Sequence, residues 1–294
     1  MLNNFRKTFV LVAVLATLST GCKYSKKYQK ISDAGNQYTI AIDELLTKAS
    51  ELQIDSSSEK LLQNDRIKNV DVNAYQNYKN NDKEILELIS GIRSHNNLLR
   101  EYFSSLKKLA FSEKPDKAQK EITGIATNLQ TIGSQLQINS SLPRPIVIGE
   151  IGKLIVHSKI EGVLKKELDE RHPIIIKQLK IQKEMLNVLG EIMKNRVQSI
   201  KDARELRLVI SPLIETEEIT GIQNWMKLRK EILLMDKQVM EIERASGALN
   251  NFQDIYKASV EGKINSQSLN QNLEDIDRFL ALLQNNNQPN PQEN

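Results

Sequence analysis

Sulfur and imidazole are the scarcest chemistry in this 294-residue chain, which has one cysteine, Cys22, and three histidines, His95, His157 and His172. A lone thiol cannot close a disulfide within its own chain, and an odd cysteine calls for another explanation. Zinc needs three or four nitrogen, sulfur or oxygen ligands. HExxH and CxxCH are both missing. A di-iron bundle needs two Glu-x-x-His elements, and the nearest fragment, Asp169-Glu170-Arg171-His172, begins with aspartate and occurs once. No metal and no other cofactor is therefore expected. Nucleophile signatures fail too. Ser-x-x-Lys occurs at Ser57–Lys60, Ser104–Lys107 and Ser105–Lys108, but the companion Ser-Asp-Asn and Lys-Thr-Gly motifs are absent, as is any Gly-x-Ser-x-Gly elbow. In Gly149-Glu150-Ile151-Gly152-Lys153 the glycines stand too close for a phosphate loop. The expectation is a protein with no catalytic residues, not an enzyme.

Aromatic residues are also few, at 5% against 39% apolar in all. That is lean for a compact enzyme core and normal for helical bundles, whose seams use Leu, Ile and Ala. Charged residues make up 27%, spread along the chain, with 41 basic against 37 acidic. Such a balance, without a clustered basic face, gives no footprint for nucleic acid.

The pattern that is present has a helical period. Ile85, Leu88, Ile92, His95, Leu99, Tyr102, Leu106 and Leu109 alternate steps of three and four, as do Ala118, Ile122, Ile125, Leu129, Ile132 and Leu136. A third seam comprises Trp225, Leu228, Ile232, Met235, Val239, Ile242, Leu249, Phe252 and Tyr256. Such seams favour shallow-angle, coiled-coil-like packing. No run alternates with period two, so the expected fold is all-α, an elongated antiparallel helical bundle of long helices with no sheet.

The expected boundaries follow from local signals. A first helix spans about 32–53, and Asp55-Ser56-Ser57-Ser58-Glu59 reads as a loop closing in a capping box. Residues 69–73 form a candidate turn, and Ser112 with Pro115 marks a break. The two prolines in 139–145 make a loop and, over 139–147, a possible hinge. Helical pattern returns over 148–210, with a kink or break at His172-Pro173 and an end at Ser211-Pro212. The next helix stops near Gly262, a plausible C-cap. A last one starts at Ser266 or Ser268 and runs towards Leu283. The bundle domain is thus placed at 32–284, with a loose tail over 285–294.

His95 is the most informative titratable group, because it interrupts an apolar seam. It is a ligand, a pH switch or, as is commoner, a core residue bonded to the neighbouring helix. Burial there lowers its pKa.

The N-terminus explains the cysteine. Arg6 and Lys7 precede an uncharged run with an apolar centre over 9–18, the pattern of a signal peptide and too short to span a bilayer. Ser19-Thr20-Gly21-Cys22, preceded by Leu18, resembles the lipobox of bacterial lipoproteins, with Ser19 where that class favours leucine. The resemblance covers roughly the first 22 residues. It implies cleavage of 1–21, diacylglyceryl attachment to the Cys22 sulfur, and a protein tethered in the cell envelope. With two membranes present, that place is the periplasmic side of the outer one. Lys23, Tyr24, Lys26, Lys27, Tyr28 and Lys30 follow. Over 22–31 they form a basic tether, either solvated or resting on anionic headgroups.

Two functions fit. One is a lipid-anchored, non-enzymatic binding or scaffold protein, held to membrane lipid through acylated Cys22 and facing a protein or envelope partner. The other is a membrane-active helical protein whose most apolar segment, 145–156, touches lipid. That segment equally suits burial within the bundle.

Overall fold

A computed structural model describes residues 22–65, 72–111, 115–138, 163–215, 221–263 and 266–285. Every element there is helical: α1 (Cys22–Asp65), α2 (Val72–Phe111), α3 (Pro115–Ile138), α4 (Val163–Arg204), a π-helical segment (Glu205–Ile210), α5 (Ser211–Glu215), α6 (Ile222–Asn250), α7 (Phe252–Val260) and α8 (Ser266–Asn285). The chain is an all-α helical bundle, and no strand occurs among the described residues.

The period of the seams dictates the packing. Along α1, Ile31, Ala34, Tyr38, Ala41, Leu45, Ala49 and Leu52 are all buried, in steps of three and four that keep one stripe facing its neighbours. The α2 seam is buried from Leu88 to Leu109, with Ile85 half-buried at its start, and the α3 seam is covered as its spacing predicts. In α6 and α7, Ile232, Met235, Leu249, Phe252 and Tyr256 are buried; Val239 and Ile242 lie outside the described side chains.

Polar pairs set direction. Gln53 bonds Asp82, Arg93 pairs with Asp43, and Lys107 pairs with Asp33, so α2 runs antiparallel to α1. Gln53 also accepts from Arg196, and Glu59 accepts from Arg204, so α4 runs parallel to α1. Contacts of Gly91 with Leu136 and of Arg171 with Thr123 make α3 antiparallel to α2 and parallel to α4. At 1.5 Å per residue the 44 residues of α1 reach about 65 Å.

Four boundaries differ from expectation. Helix α1 begins at Cys22, so the tether segment 22–31 is helical, and it runs straight through Asp55–Glu59. Serine and aspartate signal caps because their side chains compete for backbone groups. Here tertiary partners take them instead: Ser57 Oγ donates to Asp82 at 2.7 Å, and Glu59 meets two arginines. At Pro173, where a kink or a break is expected, α4 does not break. Ser211-Pro212 opens α5 rather than closing a helix, because the chain widens into π geometry just before it and the Ser211 N–H reaches Leu206 O. The wider turn gives the proline ring room at the preceding carbonyls. Asn251 separates α6 from α7 within the helix predicted to carry the third seam. Gly262 has φ +75°, as a C-cap glycine does, and α8 starts at Ser266. The turn at 69–73 lies mostly outside the described residues; the loop and hinge at 139–147, segment 145–156, His157 and the tail after Asn285 lie wholly outside them.

Candidate interaction surface

The polar residues that interrupt the seams are structural. His95 is fully buried, and its Nε2 lies 3.0 Å from Gln178 Oε1 of α4. Gln178 in turn fits only because Gly133 has no side chain, since a Cβ there would collide with its amide oxygen. Gln182 donates to Asn96 at 2.9 Å, and Asn96 donates to Thr39 O at 2.7 Å. This layer ties α1, α2 and α4 into one register, as buried polar groups do in coiled coils. Burial lowers His95 to about 4 against the pull of Gln178, so the ring is neutral. Ser104 and Lys107, from one Ser-x-x-Lys pattern, bond Asn36 and Asp33 of α1 instead of each other.

Towards Cys22 the core is aromatic. Tyr38 stacks on Phe252 at 4.2 Å, and Phe103 meets Tyr102, Phe252 and Tyr256 edge-on. His172 packs against Tyr256, its ring nitrogens unbonded among the described residues. Burial takes it to about 4; Glu261 opposes that shift and Lys257 adds to it. Nearby Glu167 is buried without a hydrogen bond among the described residues, and burial pushes its carboxyl up to about 7, although Arg171 at 3.8 Å pulls the other way. Glu170 adds to the rise. No group of three or more His, Cys, Asp or Glu able to hold a metal occurs among the described residues. The cluster is a packed core.

The far end of the bundle differs. Glu59 accepts from Arg204 at 2.7 Å and from Arg207, on the π-helical segment, at 2.6 Å. Burial pushes its carboxyl up, but these two guanidinium hydrogen bonds outweigh that and hold it below the usual range. Beside this trio a cleft of about 450 Å³ opens between the π-helical segment and α6, floored by Leu208, Leu228, Ile232 and Met235. Trp225 Nε1 donates to Val209 O at 3.2 Å, pinning the start of α6 to the π turn.

The same end is apolar on its outside. Leu213, Ile214, Ile222, Met226, Leu233 and Leu234 are exposed. So are Leu206, Ile210, Val72, Tyr75, Leu62 and Ile54; Ile40 is the one large exposed apolar residue described outside this half. Large apolar side chains gathered at one end of a molecule point to an interaction site more than singly scattered ones do.

Cys22, the one site residue read from the sequence, is the first residue of α1, at the opposite end. The far-end surface was not anticipated. Its signal was present in α6, where Ile222, Met226 and Leu233 add a second apolar stripe to the inward one. No family model, curated protein or solved structure matches the chain. No described helix is long and apolar enough to cross a membrane.

Proposed function

We propose that the protein is a non-enzymatic lipoprotein of the bacterial cell envelope. Acylated Cys22 holds it to the bilayer, and the far end of the bundle binds a protein or other envelope component. The observation that supports this most is the polarity of the molecule. The lipobox cysteine opens a helix about 65 Å long, and the exposed apolar residues gather at the other end. Two acyl chains anchor a protein stably where one is marginal. A rigid rod then carries the binding surface clear of the headgroups. With two membranes present, the anchor sits on the periplasmic side of the outer one.

Intact-mass measurement on material from the native host tests the anchor. The expected mass starts at Cys22 and includes fatty acid, and Cys22→Ala moves the chain from the membrane fraction to the soluble one. Retention of Met1, or an unmodified thiol, overturns the proposal.

A further inference from the structure

Helix α6 turns one stripe inward, Trp225, Leu228, Ile232 and Met235, all half-buried or buried. About a third of a turn away lies a second stripe, Ile222, Met226, Arg229 and Leu233, spaced four, three and four residues. In the second stripe Ile222, Met226 and Leu233 are 60%, 54% and 46% exposed. Arg229 is exposed in its middle, with Lys230 beside it, and neither forms an ion pair among the described residues. Lys227 has only a loose contact with Glu231, at 4.0 Å.

Arg229 discriminates between occupants. A two-fold contact with a second copy places the same patch against itself, so Arg229, at mid-stripe, and Lys230 beside it would meet the same cations of the other chain. Insertion into a bilayer would carry a guanidinium in at the centre of the apolar face, where charge is expensive. A partner helix with an apolar stripe and a carboxylate at mid-stripe satisfies both features, because a carboxylate accepts two hydrogen bonds from a guanidinium. We propose that the outer stripe of α6 docks an acidic amphipathic helix of a partner protein, with a carboxylate of that helix on Arg229. This rests on the binding role proposed above and names the surface and the chemistry of the partner.

The test places the photocrosslinker p-benzoylphenylalanine at Met226, and in parallel at Val72, in the full chain in its native membranes. The expected adduct at Met226 is a protein whose crosslinked peptide is a helix with acidic residues bordering an apolar stripe. A synthetic peptide of that helix should bind the purified full chain in detergent. Arg229→Glu should weaken binding at least ten-fold, and exchanging the facing acid of the peptide for lysine should restore it. Helicity by circular dichroism checks that the exposed substitution leaves the fold intact. An adduct with lipid alone, an adduct at twice the mass of the chain, no adduct at Met226, or an affinity indifferent to Arg229→Glu each overturns the proposal. An adduct at Val72 without one at Met226 keeps the binding role and moves its surface. Loss of the chain to the soluble fraction with the Met226 adduct intact instead removes the anchor.

Discussion

Towards Cys22, the rings of Tyr38, Tyr102, Phe103, Phe252 and Tyr256 close on one another, and titratable groups are buried with them. Towards Asp65 the helices meet through arginines, a π turn and a cleft, and large apolar side chains face outward. Both ends use the same helical period. They differ in what the second face of each helix carries, and that decides whether a face is core or contact surface.

The sharpest way to break this comparison is to truncate one residue at each end. Phe103→Ala should cost about 3–5 kcal/mol of unfolding free energy in urea. Ile214→Ala, on an exposed position, should stay within about 0.5 kcal/mol. Equal losses would mean that the far-end surface belongs to the core after all.

Next in size is Gly35→Ala. A Cβ at Gly35 would collide with the ring of Phe103, which its aromatic neighbours hold in place. Overpacking of that kind costs about 1–3 kcal/mol, read as a lower melting temperature, whereas Gly247→Ala, with open space around it, should leave stability unchanged or raise it.

The buried titratable groups predict a pH signature. Glu167 holds its proton up to about 7 in the folded chain but only to about 4.5 when unfolded. Its contribution is therefore complete below 4.5 and declines as pH rises through 7. His95 and His172, lowered to about 4 from 6.5, act the other way and lose stability as pH falls from 6.5 towards 4. Glu167→Gln should thus raise stability at pH 8 by on the order of 1 kcal/mol and change little at pH 5, measured by urea titration at both values. An unchanged pH profile would mean that the carboxylate finds solvent.

The smallest effect is expected from Trp225→Phe, which removes one hydrogen bond worth about 1 kcal/mol. Amide exchange should quicken over 205–214 and stay unchanged around Phe103. Faster exchange along the whole bundle would deny the far end its separate character.

Much of the architecture was legible because apolar spacing follows directly from helix geometry. The seams of α2 and α3 are buried or half-buried as their steps of three and four predict, the α6 seam passes from half-buried Trp225 and Leu228 to buried Ile232 and Met235, and His95 is a core residue neutralised by burial. The errors share one cause. Ser57 and Pro212 carry local signals for ending a helix, and a long-range partner, Asp82, overrode the first and a π turn the second. Glu59 read as a cap because its partners, Arg204 and Arg207, lie 145 and 148 residues away, beyond any local pattern. The outer stripe of α6 is visible in the spacing of Ile222, Met226 and Leu233, but spacing alone does not say which of two stripes on one helix faces the core.

The parallel pairing of α1 with α4 bears on how the chain is made. Gln53 and Glu59 leave the ribosome well before Arg196 and Arg204, which follow 143 and 145 residues later. At roughly 5–20 residues per second that lag is on the order of ten seconds. Until α4 has been made, the stripe of α1 that it covers has no partner within the chain. A chain exported as proposed above would therefore carry that apolar stripe uncovered until the whole bundle can close, the kind of surface that holding chaperones bind.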